Sequence, residues 1–228
     1  SIQPSWPCVM TVCARTTDTR VIVFARAPVA GAAKTRLIPL LGAARAATLQ
    51  QMLIERTLTT ACEAAVGPVE LWCAPSALDP LWAACAHRHG VDAVSQCDGD
   101  LGARMQHAAA AALAAARRVV IIGTDCPALT AADLRLAADR LDAHHDAVLV
   151  PAEDGGYVLI GLKWWNTRLF SDIAWGSDQV LAATRARLAE LRWRWHELPP
   201  SWDVDRPPDF ARLQASGLIP DLDATLFA

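Results

Sequence analysis

The sequence has 228 residues, of which 53% are hydrophobic and 20% are charged, and its formal net charge is -3. This composition is typical of a globular protein with one well-buried core, and it excludes a disordered or collagen-like chain. The slight excess of acid also disfavours a nucleic-acid-binding protein, which needs a basic surface against the phosphates.

Short β-rich runs alternate along the chain with helical stretches rich in Ala and Leu. Strands are predicted at 20–25, 69–73, 91–95, 119–123, 147–151, 157–162 and 193–198. Helices are predicted at about 42–65, 78–89, 101–117, 130–143, 177–191 and 207–216. This alternation predicts an α/β fold with a mostly parallel sheet, in which the fully apolar VVIIG is a central strand and RWRWHEL lies near an edge.

The order of these elements indicates one domain. No linker or repeat divides them, so we expect a single domain over residues 20–228, preceded by an N-terminal extension over residues 1–19. The extension lacks the continuous apolar core of a signal peptide, and the longest apolar run, after His107, is too short to span a membrane. The seven cysteines form no CxxC pair, which is typical of a reducing compartment. We therefore expect a cytoplasmic protein without a membrane span.

The loop behind the first predicted strand, FARAPVAGAAKTRL at 24–37, combines small residues with cations. Gly31, Lys34, Thr35 and Arg36 stand together there, and such a loop at a strand end is suited to bind an anion, most commonly phosphate. A Walker A motif is excluded because no glycine precedes Lys34, and a Rossmann fingerprint needs three spaced glycines. Loop amides with Lys34 and Arg36 would therefore hold the phosphate. The alternative is a basic surface loop.

Two acidic stretches come directly after predicted strands. Asp125 follows the central strand in VVIIGTDCPALT, and Asp203 and Asp205 follow the last strand in PSWDVDRPPDF. In open α/β sheets, ligands bind at the carboxyl ends of the strands, where carboxylates can hold Mg²⁺ or Mn²⁺. Asp203 and Asp205 share a side of an extended chain and could place a second carboxylate near Asp125. The alternatives are that Asp125 caps its turn and that DVD is a solvated acidic turn.

The segment VPAEDGGYVLIGL is a further candidate. Glu153 and Asp154 precede Gly155 and Gly156, which either form a hairpin turn or let a substrate approach the backbone closely. In the second case the two carboxylates would accept hydrogen bonds from sugar hydroxyls or act as a general base.

A segment ahead of a predicted helix, QCDGDLGARM at 96–105, contains Gly99 and Gly102. It indicates either a pocket for a base or ribose, with Gln96 at its start, or a plain loop with a helix cap. The nine tryptophans fit core and rim packing first, and Trp175 is a candidate for lining an acceptor site. The six histidines show no metal-ligand spacing and are expected on the surface or in packing.

Four segments in the same order resemble the DUF2064 family. They are FARAPVAGAAKTRL, GDLGARM, GTDCPALTAADL with PAEDGGYVLIGL, and DVDRPPDF, and they span about residues 20–212. This family has the glycosyltransferase-A fold and is provisionally assigned to nucleotide-diphospho-sugar transferases or arsenosugar-biosynthesis-type glycosyltransferases. The resemblance implies a three-layer, Rossmann-like fold with a mostly parallel mixed sheet. It also implies that Gly31, Lys34 and Arg36 contact nucleotide phosphates and that Asp125 is the metal-associated aspartate.

The segment TDCP departs from the DxD triplet of many glycosyltransferases. Related nucleotidyltransferases, including guanylyltransferases of the cofactor F420 pathway and the molybdopterin enzymes, use a single aspartate at this strand end. Their second metal-binding aspartate commonly comes from a late DxDTPED segment, which DVDRPPD resembles with Arg206 in place of Thr. The matching position is Asp205.

The leading interpretation is a metal-dependent glycosyltransferase with a nucleoside-diphosphate sugar donor, a small-molecule acceptor, and Mg²⁺ or Mn²⁺ at Asp125 and Asp205. The expected nucleotide-binding residues are Gly31, Lys34, Thr35, Arg36, Gln96, Gly99 and Gly102. Asp154 or Glu153 would be the acceptor base, and the expected substrate contacts are Gly155, Gly156 and Trp175. The alternatives are a nucleotidyltransferase that releases pyrophosphate and a catalytically silent nucleotide-binding protein.

Overall fold

The computed structural model describes residues 18–227, which contain seven strands and nine α-helices. The strands are β1 (Thr19–Arg26), β2 (Val69–Ala74), β3 (Asp92–Ser95), β4 (Arg118–Gly123), β5 (Ala147–Pro151), β6 (Tyr157–Leu162) and β7 (Trp195–Glu197). The helices are α1 (Ile38–Leu41), α2 (Ala43–Ala64), α3 (Pro80–His89), α4 (Leu101–Leu113), α5 (Ala131–Ala143), α6 (Thr167–Phe170), α7 (Val180–Glu190), α8 (Pro207–Ser216) and α9 (Leu222–Phe227).

The seven strands form one mixed sheet in the order β3-β2-β1-β4-β6-β5-β7. β6 pairs antiparallel with both β4 and β5, and the other pairings are parallel. The expected mostly parallel sheet is thus confirmed. β4, the VVIIG strand, lies at its centre and β7 lies at its edge, as the two sequence patterns predict.

Alternating side chains of the central strands enter two separate cores. In β1, Val21 and Val23 join one cluster and Ile22 joins the other, and all three are fully buried. The first cluster packs against α2, α3 and α5, and the second packs against α4, α6 and α7. Because a β-strand projects successive side chains to opposite faces, the sheet is covered on both sides. The result is the three-layer arrangement that the family resemblance implies.

A third cluster closes the side of the molecule beside α2. Leu37 and the α1 residue Leu41 pack there against α8 and α9, together with Val204 from the loop before α8. Pro207 and Pro208 open α8, as predicted, at positions where a helix does not need their missing N–H groups. This cluster fixes the loop behind β1 and the loop before α8 against the same support.

The remaining differences from the predicted elements concern short helices and the ends of elements; β7, for example, covers Trp195–Glu197 of the predicted 193–198. α1, α6 and α9 have four, four and six residues, too few for a helical period to appear in the sequence. α4 was expected to reach residue 117 but ends at Leu113. The alanines that follow favour a helix by propensity, yet the chain has to turn there to enter β4.

The described part of the chain begins one residue before β1. β1 begins at Thr19, inside the predicted extension, and residues 1–17 of that extension lie outside the described residues. Between residues 18 and 227, no helix combines the length and the apolar character needed to cross a membrane.

Candidate functional site

The parallel pairing of β1 and β4 brings two candidate loops together. Phe24 is in register with Gly123, so the chain leaves both strands at the same edge of the sheet. The loop before α8 reaches this edge because the N–H of Val204 donates to the carbonyl oxygen of Asp125 over 2.8 Å. Three segments that are distant in sequence therefore meet at one place.

These segments enclose a cleft of about 520 Å³. Of the residues expected from the sequence to bind nucleotide or metal, it is lined by Lys34, Thr35, Arg36, Gln96, Asp125 and Asp205. Further polar residues in its lining are Arg26, Gln50, Arg104, Tyr157 and Asp203. Cations and carboxylates thus share a concave site at the carboxyl ends of the parallel strands, where α/β proteins bind ligands.

The loop behind β1 presents cations and backbone amides to the cleft. Gly31 and Lys34 have left-handed backbone conformations, with φ of 84° and 47°. The carbonyl of Lys34 accepts a 2.8 Å bond from the N–H of Leu37, which closes a 3-10 turn over Thr35–Leu37. Within residues 18–227, the N–H groups of Thr35 and Arg36 have no hydrogen-bond partner. Such unpaired amides can bind a phosphate oxygen.

Lys34 brings a largely buried positive charge into the cleft. Its Nζ lies 2.6 Å from Oδ1 of Asp125 and donates to the carbonyl oxygen of Val204 over 2.7 Å. The Lys34 side chain is 4% exposed, whereas that of Asp125 is 53% exposed. The ammonium group is therefore held by the acidic side of the cleft, and Asp125 remains accessible from solvent.

A second ion pair joins the same two sides of the cleft. Arg36 is paired with Asp205, and both side chains are more exposed than Lys34. The carboxylate of Asp209, in the first turn of α8, accepts bonds from the N–H groups of Asp205 and Arg206, at 3.1 and 2.7 Å. Asp209 thus fixes the loop as the acidic partner of a helix cap.

Asp203 also lines the cleft and is more enclosed than Asp205. Burial, together with the nearby carboxylates of Asp125 and Asp154, raises its pKa from 3.8 to about 7, and Lys34 partly offsets this rise. Asp203 and Asp205 both line the cleft while Val204 between them packs into the third cluster. The alternation of the DVD segment indicated this common side, but it could not show which carboxylate would be the more enclosed.

Two cleft cations were missed in the sequence. Arg26 is the last residue of β1, and Arg104 lies in the first turn of α4, where its Nε donates to the carbonyl of Gly99 over 3.1 Å. The signal for Arg26 was positional, because it ends a strand at this edge, whereas Arg104 lies in the helix that follows β3. Gln96 lines the cleft as well, and its amide donates to the carbonyls of Ala25 and Trp72.

Glu153 and Asp154 lie in the hairpin between β5 and β6, and neither is in the lining of the cleft. Glu153 forms a 2.8 Å ion pair with Arg212 of α8, whose guanidinium lies over the ring of Trp202. Asp154 accepts a bond from the N–H of Gly156 over 2.9 Å, and its charge acts on Asp203 at the border of the cleft. Of the two expected base candidates, Asp154 is the one that the fold brings toward the site.

The paired glycines form the hairpin turn that was one of their two expected roles. Gly155 has φ of 91°, and a Cβ atom added there would lie 2.2 Å from the carbonyl oxygen of Asp178. The carbonyl of Gly155 also accepts a bond from the N–H of Leu181. The close backbone approach that glycine permits at this position is made by the segment before α7.

Gly102 and Trp175, predicted for different subsites, lie against each other. A Cβ atom at Gly102 would be 2.5 Å from Nε1 of Trp175, and Gly102 is buried beneath that indole. The glycine is therefore required for the packing of α4 against the segment that carries Trp175. Gly99, with φ of 110°, forms the turn before α4, next to the capping residue Asp100.

The donor atoms of the cleft fit a hard divalent cation. Carboxylate oxygens of Asp125, Asp203 and Asp205 are the ligands that Mg²⁺ and Mn²⁺ prefer. Within residues 18–227, no three Asp, Glu, His or Cys side chains are grouped so that they could hold a metal ion between them. A magnesium ion is commonly held by one or two carboxylates together with substrate phosphates, so a two-carboxylate site is compatible with this arrangement.

A second large groove lies elsewhere on the molecule. It encloses about 690 Å³ and is lined by Trp164, Trp165 and Arg118 among others, at the amino end of β4. The cleft with the paired charges lies at the opposite, carboxyl end of this strand.

Solved structures share this fold. A protein from Desulfovibrio desulfuricans G20, provisionally assigned as a nucleotide-diphospho-sugar transferase, matches with a TM-score of 0.81 and 27% identity over 90% of each chain. The CMP:2-keto-3-deoxy-manno-octonic acid synthetase complexed with CTP matches with a TM-score of 0.55 and 14% identity, over 87% of this chain and 98% of that chain. The manganese complex of Rv0371C from Mycobacterium tuberculosis H37Rv matches at 0.51 and 20%, over 87% and 99%.

Sequence comparison gives the family. No curated protein matches the chain. The profile of DUF2064, described as an uncharacterized protein conserved in bacteria, matches residues 57–177, which is more than half of the sequence. This stretch includes GDLGARM, GTDCPALT and the β5–β6 hairpin, three of the features on which the resemblance was based. The chain belongs to the DUF2064 family.

Proposed function

We propose that this protein is a metal-dependent transferase that takes a nucleoside-diphosphate sugar and passes the sugar to a small-molecule acceptor. The observation that carries the proposal is the meeting of Lys34 and Asp125 at 2.6 Å in a cleft that Arg36 and Asp205 also line. The Desulfovibrio desulfuricans protein supports the donor class, since it matches 90% of the chain and is provisionally assigned as a nucleotide-diphospho-sugar transferase.

The donor would bind by its diphosphate. Lys34 and Arg36, with the free amides of the 3-10 turn, would contact the phosphate oxygens, and Arg26 and Arg104 would add charge at the rim. Mg²⁺ or Mn²⁺ held by Asp125 and Asp205 would neutralise the charge that grows on the departing diphosphate. The cations of the chain stabilise that same charge and hold the donor in place.

The acceptor would approach from the side of the β5–β6 hairpin. Asp154 is the preferred base for its hydroxyl proton, because the charge of Asp154 already reaches Asp203 in the cleft. The Glu153 carboxylate is engaged by Arg212, so we assign it to the support of the hairpin. Gly156 and Trp175 remain proposed contacts of the substrate.

A nucleotidyltransferase that releases pyrophosphate is the second candidate. The observation that favours it is the single aspartate after β4, Asp125, where many glycosyltransferases have a DxD triplet. The fold is also shared with a synthetase whose structure contains CTP. Both reactions need a cleft that binds phosphate and metal, so the cleft itself supports either.

A thermal-shift screen tests the ligand class first. UDP-, GDP- and CDP-sugars and the four nucleoside triphosphates would be compared with and without Mn²⁺, since a ligand that binds only the folded state raises the melting temperature. Stabilisation by nucleotide sugars, followed by release of nucleoside diphosphate with an acceptor, supports the first proposal. Release of pyrophosphate from a triphosphate supports the second.

The screen needs a variant that separates the cleft from the rest of the protein. Asp125→Ala should abolish the metal-dependent part of nucleotide binding. Because it also leaves the buried Lys34 ammonium group without its counter-ion, the melting temperature of the variant should fall, and its ligand-induced shifts are compared with its own ligand-free value. Binding without any turnover would indicate a catalytically silent nucleotide-binding protein. If no nucleotide or nucleotide sugar stabilises the protein with Mn²⁺, the proposal is wrong.

A further inference from the structure

The ion pairs of the cleft indicate which form of the ligand can enter it. Lys34 is paired with Asp125, and Arg36 is paired with Asp205. Both cations of the loop behind β1 are thus bound to the two carboxylates proposed to hold the metal. A metal ion and a diphosphate would each have to displace an ion pair before binding.

A metal ion alone would take Asp125 away from Lys34. The Lys34 side chain is 4% exposed, so its ammonium group would lose its counter-ion where water has little access. An unpaired charge in such a place is strongly unfavourable. The carbonyl of Val204 would be its remaining partner, at 2.7 Å. The fold therefore opposes binding of the bare metal ion.

A diphosphate alone would meet the opposite difficulty. By taking Lys34 and Arg36, it would leave the carboxylates of Asp125 and Asp205 without their cations. Asp203 lines the same cleft, and the charges of both carboxylates act on it. The negative phosphates would then stand next to three acidic side chains, and like charges at this range repel.

The two ligands together leave each of these charges with a partner. The carboxylates would bind the metal, the cations would bind the phosphates, and metal and phosphates would neutralise each other. We infer that the ligand of this cleft is the metal–diphosphate complex, and that the cleft binds neither the bare metal ion nor the metal-free diphosphate well. This inference rests on the proposed function, because it concerns the same cleft. The coupling is reciprocal, so each ligand raises the affinity for the other by the same factor.

Calorimetric titration tests the inference with Mn²⁺, UDP, GDP, CDP and inorganic pyrophosphate as probes. For the unaltered protein, the best of these diphosphates should bind at least about 10-fold more tightly with Mn²⁺ than with EDTA, within the usual range of such couplings. Because Mn²⁺ and diphosphate also associate in solution, the variants below make the test specific to the ion pairs.

Asp125→Asn removes a carboxylate and frees Lys34 while nearly keeping the shape of the side chain. In EDTA, this variant should bind the diphosphate at least about 5-fold more tightly than the unaltered protein, and the gain from Mn²⁺ should shrink. A site without exchanging ion pairs predicts no such gain in EDTA. Asp205→Asn should act in the same direction through Arg36, and more weakly, because both side chains of that pair are largely exposed.

Lys34→Met removes the cation and leaves Asp125 without its partner. This variant should bind Mn²⁺ alone at least about 5-fold more tightly, as measured by the electron paramagnetic resonance of free Mn²⁺, and the metal–diphosphate complex more weakly. The matched control is Lys163→Met, because Lys34 and Lys163 are the only two lysines in the sequence. Lys163 lines the other groove, and its replacement should change neither affinity.

The outcomes separate the inference from the proposed function. If Asp125→Asn and Asp205→Asn bind diphosphate in EDTA no more tightly than the unaltered protein, the inference is wrong, while binding by the unaltered protein still supports the proposed function. If the unaltered protein binds no diphosphate even with Mn²⁺, both are wrong. Circular dichroism shows whether each variant folds, and Asp205→Asn carries the test if Asp125→Asn does not.

Discussion

The loop behind β1 and the β5–β6 hairpin have similar sequences, with glycine beside charged residues at a strand end, but their charges have different partners. Lys34 and Arg36 of the loop pair with aspartates 91 and 169 positions away, across the cleft. In the hairpin, Glu153 pairs with Arg212, and Asp154 caps the turn at Gly156. The loop presents its charges to the cleft, whereas the hairpin uses most of its charges to hold itself in place.

This difference shows how a charged turn that faces a ligand site can be distinguished from a charged turn that only stabilises the fold. In the loop, pairs form between groups that a ligand would also bind, and they face a cleft of about 520 Å³. In the hairpin, the ion pair of Glu153 is covered on one side by the contact of Arg212 with the ring of Trp202. Substitutions in the two segments should therefore affect different properties of the protein.

The largest effect is expected from Lys34→Met. Nucleotide binding in the presence of Mn²⁺ should weaken about 150-fold or more, or roughly 3 to 5 kcal/mol, because a buried cation that would face the phosphates is lost. Calorimetric titration measures the loss, and Lys163→Met serves as the control. A change below about threefold would mean that the loop is not the phosphate site.

In the hairpin, Gly155→Ala should affect stability. Its Cβ would lie 2.2 Å from the Asp178 carbonyl, at φ of 91°, so we expect a loss of about 2 to 4 kcal/mol in the free energy of unfolding. Urea denaturation measures it. Gly176 has φ of 84° but no atom within 4 Å of the added Cβ, so Gly176→Ala is the control and should lose roughly half as much or less. Equal losses would contradict the packing role of Gly155.

Asp203 connects the two segments, since carboxylates of both sides raise its pKa. Folding raises this pKa from 3.8 to about 7. The neutral carboxyl group therefore contributes fully to the free energy of unfolding below pH 4, and this contribution is lost as the pH rises through about 7. Asp203→Asn should therefore be more stable than the unaltered protein at pH 8, by roughly 1 to 3 kcal/mol, with the difference vanishing near pH 4.

Denaturation at a series of pH values tests this expectation. Asp92→Asn, which removes a carboxylate at an exposed position of the edge strand β3, is the matched control. If Asp203→Asn is instead less stable than the unaltered protein at pH 8, the folded state favours the charged carboxylate. That result would contradict the expectation.

The smallest effect is expected from Glu153→Gln. The ion pair with Arg212 is about half exposed, so its loss should cost less than about 1 kcal/mol of stability and change turnover less than about twofold. Arg212→Gln should behave alike. A fall in turnover of 100-fold or more, with nucleotide binding intact, would instead identify Glu153 as the acceptor base.

The fold could be predicted from the sequence because the strands and long helices carry clear periods. VVIIG was predicted as a central strand because it is apolar on both faces, and RWRWHEL was predicted as an edge strand because its polarity alternates. Both predictions are confirmed. The short helices α1, α6 and α9 were not predicted, because tertiary packing rather than a sequence period stabilises them. For α4, alanine propensity overestimated the length.

The cleft could be predicted in part, for a related reason. Lys34, Asp125 and Asp205 each follow a strand, and parallel strands bring such positions to one edge. The sequence could not show that Glu153 would pair with Arg212, or that Trp175 would cover Gly102, because these contacts join segments with no common pattern. Nor could it show that Asp203 is the enclosed carboxylate of its pair.

The most direct test of the central proposal, that one cleft binds nucleotide diphosphate and metal, is anomalous diffraction at the manganese edge from crystals grown with MnCl₂ and the tightest-binding nucleoside diphosphate. We predict a manganese peak at the carboxylates of Asp125 and Asp205, with the diphosphate on Lys34 and Arg36. A nucleotide bound elsewhere, for example in the groove beside Trp164, or a manganese peak away from both aspartates, would contradict the proposal.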